Sequence, residues 1–441
     1  MHQMMRKTKR IQPLSREKRI LMGNFLSLSV LEVANYVLPL LTLPYLVRVL
    51  GPEKFGLIAF ALAFVHYFVI FTDYGFNLSA TREIAIHRKD ARRVSGIFNA
   101  VLFVKVTLTA VSFLVLAAVI LLVGRFNSEA IVYLFSFGVV IGNALFPVWF
   151  FQGIERMKYI TVLNVVGKII FTVAIFIFVR AESDYRLVPL ITSLGYLTTG
   201  ITGFLFACRR FNLHIFIPST ASVIEQLRQG WHVFISTAAI SLYTTSNIVI
   251  LGVFANNTVV GYYAAAEKII RVLQRLFLPV SQAVYPHVSK LAHQSREQAL
   301  RFLSRLLSLT ALSTFALSCV FFLAVPLVVR TALGARYVES AGVLRILAFL
   351  PFITALSNVF GIQTMLVFNM KSAFSRILIS AGVVNVVLAF MLAPRLEHTG
   401  IAVSVIVTES FVTAAMAVFL IRHGFFKFGM LTGSIGREVL S

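Results

Sequence analysis

The chain alternates long apolar runs with short polar turns from one end to the other. Each run has roughly the 20 residues that a helix rising 1.5 Å per residue needs to cross about 30 Å of hydrocarbon. Twelve spans are predicted, at about 23–47, 57–80, 97–123, 131–153, 159–180, 188–208, 230–254, 259–285, 301–328, 341–366, 374–394 and 400–421. The first two form a hairpin over Asn35 to Ala85, closed by a turn built on Gly51, Pro52 and Gly56. The expected fold is an all-α polytopic membrane protein of two six-helix lobes around a central cationic cavity. The N-lobe covers 23–208 and the C-lobe 230–421, with a linker at 209–229, a basic amino-terminal stretch at 1–22 and a tail at 422–441. Aligning Phe55-Gly56 with Val260-Gly261 lays span 2 on span 8 and His66 on Arg271. That match suggests parallel repeats related by a pseudo-two-fold axis along the membrane normal, an arrangement that places the substrate site between the lobes.

Composition restricts function more than fold. The mean hydropathy is +0.87, and only 13% of the 441 residues are charged, against about a quarter in soluble domains. No room is left for a soluble catalytic domain. The net charge of +23 would suggest a nucleic-acid partner in a soluble protein. Here the charge lies in alternate loops. One side carries the amino-terminal Arg6, Lys7, Lys9 and Arg10, then Arg88, Lys89, Arg92, Arg93, Arg156, Lys158, Arg209, Arg210, Lys290, Arg296, Lys371 and Arg376, and the tail with Lys427 and Arg437. The other side has only Arg48, Lys54, Arg125, Arg180, Arg186, Arg330, Arg336 and Arg395. The positive-inside rule makes the first side cytoplasmic, with both termini inside, and no nucleic-acid partner is expected. The first apolar run is too long for a signal-peptide core and lacks a small-residue cleavage site, so it reads as a retained span.

Chemistry-bearing motifs are sparse. Neither a GxxxxGK[ST] phosphate loop, a dinucleotide turn, a zinc spacing nor a nucleophile elbow occurs, so no catalytic residue, metal or cofactor is expected. Cys208 and Cys319 fall on different spans and suggest neither a metal site nor a disulfide. Transport is then driven by coupled H+ or Na+, or by the cargo's own gradient. A membrane glycosyltransferase or polymerase would need a sizeable extramembrane loop, and these loops are short.

The sharpest constellation is AAEKIIRVLQRLF, where Lys268, Arg271 and Arg275 share one helical face and Glu267 stands four residues before Arg271. Three cations on one span cannot all meet lipid. They line a wet cavity and meet an anion, for which arginine forks and lysine charges suit phosphate. The competing reading makes Glu267–Arg271 a structural pair and lets Arg275 snorkel. Glu32, His66 and Asp73 are candidates to pair with these cations or to carry a coupling ion, and His66 among aromatics could equally be a packing residue. Lys105 and Lys168 lie about 12–14 Å into their spans, a depth that fits either snorkelling or a cavity role. Arg48 suits an interfacial anchor, and Glu409 a structural pair.

LPYLVRVLGPEKFG, FTDYGFNLSATREIA and VGYYAAAEKIIRVLQRLFLPVSQAVYPHVSKL resemble the polysaccharide-biosynthesis, O-antigen flippase-like transporters of the multidrug/oligosaccharidyl-lipid/polysaccharide exporter superfamily. The resemblance implies a multi-pass protein of the bacterial inner membrane. It would move undecaprenyl-diphosphate-linked oligosaccharide from the cytoplasmic to the periplasmic leaflet by alternating access. Polymerase and ligase machinery are implied as further partners beside membrane lipids. In such flippases spans 1, 2, 7 and 8 line the central cavity, where Glu32, His66, Asp73, Lys268, Arg271 and Arg275 fall, and Arg48 gains a place at the outer mouth. Two alternatives stand. An ion-coupled multidrug exporter of the superfamily would favour acidic residues for cationic cargo. A lipid II-type flippase would carry two extra spans after Arg422.

Overall fold

The computed structural model describes residues 16–425, and every regular element among them is helical. Arg6, Lys7, Lys9, Arg10, Lys427 and Arg437, which carry part of the orientation argument, lie outside the described residues. Among the described residues, eight helical runs are long and apolar enough to cross a bilayer. Two of them contain two spans each. Arg16–Asp73 is 58 residues long and breaks at Gly51, and Lys371–Arg422 is 52 residues long and breaks at Glu397. Gly51 takes φ 69°, the left-handed region that glycine enters without a Cβ penalty. Pro52 then opens span 2, where a missing N–H costs nothing. Helices Thr220–Phe254 and Asn257–Arg275 supply spans 7 and 8, and the second is the more polar of the two.

Three prolines act as dividers. Pro147, Pro279 and Pro351 each stand at or just after a helix start, so spans 4, 8 and 10 are each built from consecutive helices. Pro39 and Pro44 remain inside span 1. Within the 209–229 stretch, helix resumes at Thr220. Asn99 holds the extended part against span 3. Its Nδ2 donates to the His214 carbonyl at 2.9 Å, and its Oδ1 accepts from the Phe216 N–H at 3.1 Å. Ser219 caps the new helix by accepting from the Ser222 N–H at 3.3 Å.

The loops sort to two ends. Gly51, Glu182 and Arg336 meet at one end, together with Arg125 and Asn257, and this is the lightly charged set. Arg88, Glu155 and Asn24 meet at the other end, the basic one. The core follows the same division. At the lightly charged end a single buried cluster runs through both lobes, joining Leu50, Phe55, Phe126 and Val188 to Val260, Val329, Leu344 and Ile401. Toward the basic end it splits into one cluster around Phe98, Trp149 and Phe150 and another around Leu303, Phe360 and Met416. The lobes thus share one buried cluster at the lightly charged end and hold two at the basic end, where Tyr74 and Gly75 still pack against Gly230, Val233 and Phe234 at the start of span 7.

Candidate functional site

Span 8 begins at Asn256, whose side chain accepts from the Val259 N–H at 3.0 Å and fixes the helix start. Val260, Tyr263, Ala264 and Ile270 are buried, while Lys268, Arg271 and Arg275 occupy an exposed face. The alanine run and Gly261 let this helix lie close against spans 1 and 2. Arg271 donates to Glu267 at 2.8 Å, yet 51% of its side chain stays exposed against 13% for Glu267. Lys268 Nζ sits 4.9 Å from the Phe55 ring centroid, and the Arg275 guanidinium 5.0 Å from that of Tyr36. Tyr36 is within electrostatic reach of Glu32, Arg271 and Arg275, and His66 of Arg271 and Asp73. Glu32, His66, Glu267, Lys268, Arg271 and Arg275 thus converge from three spans.

Asp73 is engaged elsewhere. Its Oδ1 accepts from Lys105 Nζ at 2.7 Å, and its Oδ2 accepts from Asn77 Nδ2 at 3.2 Å. Lys105 is 1% exposed and also reaches the Asn143 carbonyl at 3.4 Å. It neither snorkels nor joins the span-8 face, and in this structure Asp73 does not meet the span-8 cations.

Lys168 does face a cavity. It donates to Asn35 Oδ1 and feels the Glu32 carboxylate. The cavity, of about 310 Å³, lies between spans 1, 2, 5 and 6, and Lys268 reaches it from span 8. Asn35, Pro39, Thr42 and Leu46 line it from span 1 at helical spacing. That stripe was the one sequence signal that could have marked Asn35 and Thr42, which charge alone does not reveal. Glu409 sits half-buried on span 12, its backbone carbonyl accepting from the Thr413 hydroxyl at 2.9 Å.

Arg48 stands apart from the other candidate cations. It belongs to the fused end, where it donates to the Thr331 carbonyl across the lobes. Arg336 reaches Glu182 at 3.2 Å, and Arg125 donates to the Gly252 carbonyl and, at 2.9 Å, to Asn257 Oδ1. Glu182 is held out by a tight turn. The N–H groups of Arg180 and Ala181 both donate to Asp184 at 2.9 Å and hold its carboxyl below the usual range. Beneath these polar links the backbones touch. A Cβ on Gly56 would lie 1.8 Å from the Asn257 carbonyl oxygen, and one on Gly261 would lie 2.0 Å from that of Pro52. The contact is reciprocal, each glycine standing four residues after its own helix start and facing the helix start of the other lobe.

A model of the family described as "Polysaccharide biosynthesis protein" matches residues 21–292. The chain belongs to this family. It is 37% identical over 403 residues, 91% of its own length and 97% of the relative's, to an Escherichia coli (strain K12) protein named "Putative O-antigen transporter". Among solved structures it resembles the inward-facing conformation of a multidrug resistance MATE family transporter of the MOP superfamily. The TM-score is 0.68 at 15% identity, covering 93% of this chain and 99% of the other. It also resembles the lipid II flippase MurJ in an inward closed conformation, with a TM-score of 0.66 at 12% identity over 91% of this chain and 87% of the other. Family and fold are those of transporters with two helical lobes, and the polysaccharide biosynthesis protein is a multi-pass membrane protein rather than an enzyme.

Proposed function

We propose that the chain carries undecaprenyl-diphosphate-linked oligosaccharide across the bacterial inner membrane by alternating access, with both termini cytoplasmic. One observation supports this most: span 8 presents Lys268, Arg271 and Arg275 on one exposed face, where the carboxylates that converge with them among the described residues are Glu267 and Glu32. An excess of cations reachable by water inside a membrane bundle suits an anionic cargo. The Arg271 side chain is 51% exposed, and a guanidinium fork matches phosphate oxygens. The diphosphate meets these cations, the sugars occupy the wet space between lobes, and the prenyl tail stays in lipid. The one shared cluster at the lightly charged end and the two clusters at the basic end suit a state that receives cargo from the cytoplasm.

Single cysteines at positions 268, 271 and 275 test the reading. Each is expected to react with a membrane-impermeant thiol reagent, and a long-chain prenyl diphosphate should protect all three. A cysteine replacing Ile270, which is 1% exposed, should not react. Silence at all three basic positions, or labelling that the diphosphate lipid leaves unchanged, contradicts the assignment.

A further inference from the structure

We propose that the cavity between spans 1, 2, 5 and 6 is a subsite for the sugar ring adjoining the diphosphate, an assignment that rests on the diphosphate reading above. Lys268 connects the two places. It lines the cavity and also stands three residues before Arg271 on the exposed face of span 8, a rise of about 4.5 Å. A cargo whose phosphates lie along Arg271 and Arg275 therefore presents its next unit at the cavity mouth. The volume of about 310 Å³ is at the small end of ligand pockets and suits one ring rather than a whole repeat unit.

The lining chemistry suits a sugar ring. The charge of Lys168 is answered within the site, because its ammonium donates to Asn35 Oδ1 and lies in the field of Glu32. Beside it, Asn35, Thr42 and Thr192 line the cavity and offer neutral acceptors and donors to hydroxyl groups. Phe55, Phe171 and Tyr196 supply flat apolar wall, against which the C–H face of a pyranose can pack while its hydroxyls turn to the polar groups. These are the features of a specificity site, where a polar group built to bond a substrate hydroxyl rejects analogues that lack it.

The test uses the purified full chain in lipid nanodiscs and two probes, undecaprenyl diphosphate and the same lipid carrying one hexose. Lys168→Met keeps length and removes charge. It is expected to weaken binding of the hexose-bearing lipid about ten- to a hundredfold, the worth of a charge-assisted hydrogen bond, and to leave the bare diphosphate lipid unchanged. Tyr196→Phe, which removes one oxygen and keeps the ring, should shift selectivity in the same sense. Arg271→Ala should weaken both lipids. Equal loss of both lipids, or of neither, in Lys168→Met and Tyr196→Phe overturns the subsite. If Arg271→Ala spares the bare lipid while Lys168→Met remains selective, the diphosphate assignment falls and the sugar subsite stands.

Discussion

Replacing Gly261 by leucine abolishes transport and separates the lobes at their fused end: that is the expected result, and alanine at position 56 or 261 should go part of the way. The reason is the distance available. The added Cβ meets a backbone carbonyl at 2.0 Å at position 261 and at 1.8 Å at position 56, and no rotamer change can relieve either contact. Overpacking against movable side chains costs about 1–3 kcal/mol, so contact with backbone should reach at least the upper part of that range. A bias of about 3 kcal/mol shifts a two-state equilibrium by roughly a hundredfold. The polar links nearby are exposed and contribute less; Glu182 and Arg336 are 45% and 61% exposed. Cysteines replacing Glu182 and Arg336, joined by a short bifunctional thiol reagent, report the closure. Crosslinking should be efficient in the parent and lost in Gly261→Leu. Unchanged crosslinking and unchanged transport would show that the glycine crossing does not hold this end together.

The second large effect belongs to the Asp73–Lys105 pair. Lys105 is 1% exposed, and Asp73→Ala leaves its ammonium without a carboxylate. Removing one partner of a buried pair costs about 3–5 kcal/mol, whereas replacing both by apolar groups of similar size is often neutral. Asp73→Ala and Lys105→Ala should each lower the melting midpoint of the detergent-solubilised protein steeply, and Asp73→Leu/Lys105→Met should recover most of the loss. If the double variant regains stability and transport together, the pair is structural. Stability regained without transport would place the charges in the transport cycle, beside His66, which Asp73 also reaches electrostatically.

Depth was legible in the sequence and azimuth was not. The apolar runs located spans that the helices reproduce, and Gly51-Pro52 announced the first hairpin because glycine and proline break helices for known steric reasons. The spacing of Lys268, Arg271 and Arg275 placed them on one face, since helical period alone decides that. Lys105 and Lys168 looked alike, two lysines at similar depth. They part because span 3 turns Lys105 toward Asp73, whereas span 5 turns Lys168 toward Asn35 and the cavity. Arg48 could not be assigned to a lobe contact either, because its acceptor is a backbone carbonyl at Thr331, nearly three hundred residues on. Ser219 is a helix cap inside the 209–229 stretch, a role that its residue type allows but does not by itself reveal.

The most direct test of the account is glycan display by a bacterial strain lacking its own O-antigen transporter and carrying variants of this chain. Arg271→Lys should retain part of the surface glycan, because charge survives and only the fork is lost. Arg271→Ala should lose most of it, since one charge-assisted hydrogen bond is worth about ten- to a hundredfold in binding. Arg271→Glu should be worse still, because it repels the cargo. The Lys268→Ala/Arg271→Ala double variant, present in the membrane at normal level, should display none. Normal display from that double variant would contradict the cationic recognition of a diphosphate and leave the span-8 charges as features of packing.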